Sequence, residues 1–289
     1  MNRRIIQPVK FSVLFVSAAV ALAAMPAGGG RYTDSHIILD DVFKSIDNVK
    51  TLTYTMVYSE RLEAGRMHID SNDVKFQKAP RKIYMKTSDG TEVLWVADTN
   101  KNRAFVHPNS FPYATLLLDP DGSLMRKDQH HNVTSTGYDY FEGILKLAAG
   151  NLGNEFDSHF LYLGEVVFNG VKCYNIKVIE PAFKYVQYIV QKGETVLTIA
   201  KKLGLSEYMI LQHNNLNSYS SIVAGKTIMV PNSYAKAMTL YIDKTTALPV
   251  FIKVEDEKGL FEQYTFRNIS VNPAITANEF SRKDKEYHF

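Results

Sequence analysis

The sequence predicts an α+β fold: a large, curled antiparallel sheet with covering helices and a small inserted module. Three observations carry that prediction. Short runs rich in β-branched and aromatic residues follow one another, divided by turn residues. Two other stretches space their apolar residues as a helix would. An Asn-Gly pair, Asn169-Gly170, separates two apolar runs, and both central residues of the type I′ turn it favours need positive φ.

The elements follow in chain order. From Asp34 to Val49 the residues Ile38, Val42, Phe43, Ile46 and Val49 form one apolar stripe, with Thr33, Asp34 or Ser35 placed to cap the start. Strands are expected at Leu52 to Tyr58, Arg66 to Ile69, Val74 to Gln77, Ile83 to Thr87, Glu92 to Ala97 and Arg103 to His107. Turns lie between them at Ala64-Gly65, Ser71-Asn72-Asp73, Ala79-Pro80, Asp89-Gly90 and Thr99-Asn100. A second helix is expected over Tyr138 to Ala149, between Gly137 and Gly150. Phe160 to Phe168 and Val171 to Ile179 form the Asn-Gly hairpin, and Met238 to Ile242, Pro249 to Glu255 and Leu260 to Arg267 form a closing meander. From these runs the expectation is a sheet of roughly nine or ten antiparallel strands, and a sheet of that size curls around whatever covers its apolar face.

A chain of 289 residues with 45% apolar residues can bury a full core. Its start reads as a secretory signal peptide over residues 1–23: Arg3, Arg4 and Lys10, then the apolar run Phe11 to Met25, with Ala21-Leu22-Ala23 as the cleavage site. The run is shorter than the ~20 residues a spanning helix needs. No Cys stands just after it for lipid attachment, so the expectation is an exported protein, periplasmic or otherwise held in the cell envelope. Cys173 is alone, which rules out an internal disulfide, and its alternation with Val171 points to packing. With Arg3, Arg4 and Lys10 assigned to the leader, 30 basic residues face 30 acidic ones, so a nucleic-acid surface is not supported.

The segment Tyr188 to Pro231 has an order of its own. Tyr188 to Gln191 reads as a strand; Thr195 caps a helix with Val196, Ile199, Ala200 and Leu203 on one stripe, ended by Gly204. Ser206 caps a second helix with Ile210 and Leu211 facing inward, ending at Asn214-Asn215-Leu216, and Ile222 to Pro231 returns as a strand. This βααβ order, opening on Tyr-Ile-Val-Gln-Lys-Gly-Glu-Thr and closing on Gly-Lys-Thr-Ile-Met-Val-Pro, resembles the LysM domain over 188–231. The resemblance implies binding of the N-acetylglucosamine backbone of peptidoglycan or a related glycan. It places glycan contacts at Gly193, Glu194, Thr195, Val196, Ile222, Val223 and Gly225. Glu194 stands where Asp is usual, Val196 for Leu, Leu197 for an aromatic and Lys226 for Gln, departures that bear on affinity.

The flanking sequence, 32–187 and 236–289, reads as one host interrupted by this module. The strand Phe183 to Tyr188 is expected to pair with Met238 to Ile242 across the insertion. The host's order, with Tyr241 to Val250 and a closing Gly-x-x-x-x-Tyr-x-Phe strand, is similar to periplasmic carriers of the LolA and LolB type, which are half-open β-barrels lined by apolar side chains. Lys75-Phe76-Gln77, Pro80 to Met85, Glu92 to Val96, Asn102 to Pro108 and Met125 to Gly137 with its His130-His131 pair resemble the DUF1571 family. These resemblances imply fold, and through the carrier-like fold a host that takes a lipid, lipoprotein or other hydrophobic partner.

Other residues receive plainer readings. His130 and His131, taken as neighbours on a strand, face opposite ways and lack a third ligand spacing, so no metal is expected. Asp119-Pro120-Asp121-Gly122 reads as a turn, and His68 with Asp70 lacks an oriented nucleophile. The expected function is non-enzymatic and cofactor-free: LysM holds the protein to peptidoglycan while the host binds a hydrophobic ligand. The alternatives are a LysM-targeted cell-wall enzyme and a purely structural interaction protein.

Overall fold

The computed structural model describes residues 34–289, so the expected signal peptide lies outside the described residues. Helix α1 (Asp34–Asp47) comes first, then strands β1 (Thr51–Arg61), β2 (Met67–Gln77), β3 (Lys82–Thr87), β4 (Glu92–Val96), β5 (Ala104–His107) and β6 (Leu116–Leu118). Helices α2 (Tyr138–Leu152) and α3 (Phe156–His159) lead to β7 (Phe160–Phe168) and β8 (Val171–Ile179). A small unit holds β9 (Tyr185–Ile189), α4 (Val196–Leu203), α5 (Glu207–His213) and β10 (Thr227–Pro231). The chain closes with β11 (Ala237–Asp243), β12 (Pro249–Asp256) and β13 (Gly259–Val271).

Eleven strands make one antiparallel sheet in the order β6-β5-β4-β3-β2-β1-β13-β12-β11-β8-β7. Two consecutive meanders are joined where β1 pairs with β13, Tyr58 opposite Tyr264 and Glu60 opposite Glu262. Alternation then places Tyr54, Tyr58, Val74, Phe76, Ile83, Val93 and Val106 on one concave face. Over that face lie Ile38, Leu39, Val42 and Ile46 of α1 and Phe141, Ile144 and Leu145 of α2, within a single core. The outer face has a smaller cluster, in which Tyr84 and Leu94 meet Phe280 and the Tyr84 ring stacks on Tyr287 at 3.9 Å.

Three expectations need correction. The turn expected at Ser71-Asn72-Asp73 does not form, and β2 pairs with β1 without a break from Thr51↔Gln77 to Arg61↔Met67. Pairing with the long partner strand outweighs local turn preference there, and Asp73 finds a bond on that strand, Thr55 Oγ1 donating to Asp73 Oδ1 at 2.7 Å. Strand β6, three leucines among turn residues, is an addition that brings the sheet to eleven strands. Phe183 to Tyr188 does not pair with β11. Among the described residues its β residues belong to β9, which pairs with β10, while β11 pairs with β8 from Ala237↔Ile179 to Asp243↔Cys173. The Asn169-Gly170 turn forms as expected, with φ of 49° and 83° and Phe168 opposite Val171.

The small unit therefore occupies the hairpin connection between β8 and β11. Its neck is narrow: Glu180 N–H donates to the Lys236 carbonyl at 2.8 Å, and Lys184 N–H donates to Asn232 Oδ1 at 2.9 Å. The unit has a core of its own around Val196, Ile199, Ile210, Ile228 and Val230. Helix α5, however, is buried on two sides. Ile210 faces the small core, whereas Tyr208 and Met209 belong to the host core, with Tyr208 stacked on His130 at 4.2 Å. Beside them the buried Arg126 donates to Glu207 Oε1 at 3.0 Å and lies over the Tyr219 ring.

Burial of two large apolar side chains, about 1.5–3 kcal/mol each, is the main force of this docking. A buried ion pair roughly breaks even against its desolvation, so Arg126–Glu207 contributes register more than strength. Its one-sided removal is costly all the same. Glu207→Ala is expected to lower the unfolding free energy by about 3–5 kcal/mol because Arg126 is left buried without its partner. Urea unfolding followed by circular dichroism and by Trp95 fluorescence checks this, and both probes should move in one transition.

Candidate functional site

Two places on the chain are built to receive something: the loops at one end of the small unit, and the hollow of the sheet. In the small unit, the β9–α4 loop and the segment before β10 are laced together. Val190 N–H donates to the Lys226 carbonyl at 3.0 Å, Gly225 N–H to the Val190 carbonyl at 2.8 Å, and Val196 N–H to the Tyr219 carbonyl at 2.9 Å. Gly193 and Gly225 take φ of 82° and 79°, which an L side chain would strain, and nothing crowds either α-carbon. Thr195 caps α4 by accepting from Thr198 N–H, while Thr198 Oγ1 accepts from Thr195 N–H.

The seven residues placed here by resemblance separate into two groups. Gly193, Val223 and Gly225 are exposed, Val223 by 62%, and Thr195 and Ile222 are half-buried beside them. Glu194 and Val196 have inward roles. The Glu194 carboxylate accepts from Tyr188 Oη at 2.8 Å, Gln191 N–H at 2.8 Å and Lys202 Nζ at 3.1 Å. The Gln191 N–H, then Tyr188 and Lys202, hold its carboxyl below the usual carboxylate range. Val196 is fully buried in the small core. These two residues therefore fix the shape of the loops from behind.

The second place is a cavity of about 460 Å³ on the concave face, within the range of small-molecule sites. Its apolar side is made by Val93, Val106, Leu116 and Leu118 from β4 to β6, with Met85 and Val133. Phe111 and Leu124, 87% and 62% exposed, stand at its margin. The opposite side, along β1 and β13, is polar: Tyr58, Glu60, Asn72, His131 and Tyr264.

Behind that polar side lies a buried hydrogen-bond network centred on Glu262. His130 and His131 are not on a strand, and both rings reach the same oxygen: Glu262 Oε2 accepts from His130 Nδ1 at 2.8 Å and from His131 Nε2 at 3.2 Å. Tyr234 donates to Glu262 Oε1 at 2.7 Å. His130 Nε2 donates to the Arg61 carbonyl at 3.0 Å, its N–H to Glu60 Oε2 at 2.9 Å, and Tyr264 to Glu60 Oε1 at 2.7 Å. Glu60, His130 and Glu262 thus bring three potential ligand atoms within 4.8 Å of one another, and these same atoms are engaged in the network's own bonds. The expectation that the two histidines diverge is corrected by this convergence, which a bend in the chain permits.

A description of known families matches twice. Residues 49–203 match "Protein of unknown function (DUF1571)". The chain belongs to the DUF1571 family. Residues 188–231 match the LysM domain, so this family member carries a LysM in the connection between β8 and β11. No curated protein matches the chain. Among solved structures it is similar to the MucA/MucB complex of Pseudomonas aeruginosa, at 14% identity and a TM-score of 0.43 over 86% of this chain and 61% of that one. It is also similar to LprF from Mycobacterium bovis, at 11% identity and 0.39 over 86% and 97%. A third is a LolA superfamily protein from Nitrosomonas europaea, at 7% identity and 0.33 over 87% and 99%. The chain spans about three fifths of the MucB chains it resembles. These are likenesses of fold alone.

Sequence reasoning missed Tyr188 and Lys202 as the clasp on Glu194, and Glu60, Asn72 and His131 as the polar side of the cavity. The signal for the second group was present: alternate residues of β1, β2 and β13 share a face once their register is known.

The network sets a pH dependence. Burial alone would lower the His131 pKa, but the Glu262 charge and hydrogen bond outweigh it and raise it to about 9. Burial likewise would raise Glu262, but the His131 charge and both histidine bonds hold it far below the usual range. The His131 contribution is thus complete below its ordinary value of 6.5 and lost as pH rises through about 9. The Glu262 contribution is present above its ordinary value of 4.5 and lost in acid. One contact underlies both shifts, so its worth is counted once, at no more than about 3 kcal/mol. Urea midpoints of the unmodified protein should fall between pH 6.5 and 9, and His131→Gln should remove that slope.

Proposed function

We propose that this DUF1571 protein is an exported, non-enzymatic component of the cell envelope that holds peptidoglycan through its LysM and a lipid or similar hydrophobic ligand in the hollow of its sheet. The observation that carries the first half is an asymmetry in the LysM. Its second helix is buried against the host, yet Gly193, Val223 and Gly225 at the loops remain exposed. The open backbone at Gly193 and Gly225 lets a sugar approach closely, and Ile222 and Val223 offer an apolar wall for N-acetyl methyls. The second half is supported by the cavity, whose β4–β6 side is apolar throughout and whose margin has two exposed apolar side chains.

Helix α5 dictates how the LysM role is tested. Deleting the module would take Tyr208 and Met209 from the host core, so a surface change is the better test. Val223→Asp is expected to weaken co-sedimentation with purified sacculi about tenfold, a change of ~1.4 kcal/mol, while the unfolding curve stays in place. Sedimentation equal to that of the unmodified protein would remove the LysM role. For the cavity, native mass spectrometry of protein taken from its own envelope should show a bound lipid mass that organic extraction removes. A chain that carries no such mass, and acquires none from lipid vesicles, would count against a lipid ligand.

A further inference from the structure

The polar side of the cavity is incomplete. His131 uses Nε2 on Glu262, and its other ring nitrogen, Nδ1, is buried with no hydrogen-bond partner among the described residues. Asn72 is 6% exposed; its amide is engaged with the Tyr58 hydroxyl, while its Oδ1 is buried without a partner. Both residues line the cavity. They also belong to the same end of it, because Tyr58 and Tyr264 are cross-strand partners and the His131 ring lies 6.0 Å from that of Tyr264. A buried polar atom left unbonded costs ~1–3 kcal/mol, which a ligand that bonds it recovers.

The charges limit what that ligand is. The charged residues lining the cavity are Glu60 and His131, with no Lys or Arg among the lining residues. His131 is already paired with Glu262, and Glu60 lies beside it as an anion, so a carboxylate or phosphate head would gain no free cation and would meet a like charge. Nε2 faces the buried Glu262 carboxylate at 3.2 Å, an ion pair that calls for an imidazolium, and the imidazolium's Nδ1–H is then a donor in need of an acceptor. Oδ1 of Asn72 is an acceptor in need of a donor. Away from both, β4 to β6 offer only apolar surface.

We propose that the cavity selects an uncharged acyl lipid whose polar end carries a carbonyl, accepting from His131 Nδ1, and a hydroxyl or N–H, donating to Asn72 Oδ1. The inference rests on the reading of the hollow as a lipid site and adds the chemistry of the head. The acyl chain runs from that end toward Val93, Val106, Leu116 and Leu118. A glyceride ester and an acyl amide share this chemistry.

The test measures binding of three oleoyl probes to the full chain at pH 7.5, by equilibrium dialysis below their aggregation limits. The probes are 1-monooleoylglycerol, N-oleoylethanolamide and oleate. At least one neutral probe should bind about tenfold more tightly than oleate, and the tighter of the two identifies the linkage. Asn72→Leu removes the unbonded Oδ1 together with the amide's contact to Tyr58, keeping a similar size; circular dichroism checks that it folds, and it should cut that preference about fivefold. A neutral probe should also shift the 15N resonance of His131 Nδ1 in the unmodified protein. Oleate binding as tightly as both neutral probes, or a preference unchanged in Asn72→Leu with no shift at His131, overturns the proposal and leaves the lipid site standing. Binding of none of the three overturns the lipid reading itself.

Discussion

The buried carboxylate of Glu262 is the constraint on which the arrangement of this protein depends. A charge so deep is costly unless bonded on all sides, and four donors converge on it: His130, His131, Tyr234 and Tyr264. Those bonds fix the segment from Met125 to Asn132, which has no regular structure of its own to hold it. One side of that segment, through Met125, Gln129 and His131, is a wall of the cavity. The other side, through Arg126 and His130, is the platform on which the LysM sits. A single anion in β13 thereby positions two sites that lie far apart in sequence.

The same segment explains why the LysM is not an appendage. A solitary module of this size has a small core and usually needs support. Here α5 supplies residues to two cores at once, and the β8–β11 connection closes behind it with bonds between Lys184 and Asn232. The loops that face solvent are stiffened from inside by Glu194 and Val196 rather than widened by them. A single LysM lacks the gain in effective concentration that tandem copies have, and rigidity of its loops is a different means of limiting the entropy lost on binding.

The legible parts of the chain were those governed by local chemistry. Asn169-Gly170 specifies its turn, Thr195 and Gly204 bound α4, Ser206 caps α5, and the stripes of α1 and α2 face the core. Ser71-Asn72-Asp73 misled because turn preference is weak beside an eleven-residue register with β1, and Phe183 to Tyr188 misled because a β-rich run does not name its partner strand. The run Tyr208-Met209-Ile210-Leu211 held an unread signal: a helix apolar on every side is buried on every side. The cavity's polar end was legible only in part: strand alternation puts Glu60, Asn72 and Glu262 at that end once β1 is paired with β2 and β13, but His131 joins them through a bend in the chain that no local pattern announces.

The shared helix has one more consequence, a mechanical one. A module joined by a flexible tether lets its cargo domain tumble, so only distance from the anchor is controlled. Helix α5 and the clamped neck make a bracket instead. On the proposed reading of the LysM as the glycan-holding unit, the margin marked by Phe111 and Leu124 would therefore have a fixed bearing relative to whatever the loops at Gly193 and Gly225 hold. A pull on the LysM would reach the hollow as torque across Arg126, Glu207 and Tyr208, with no slack linker to absorb it.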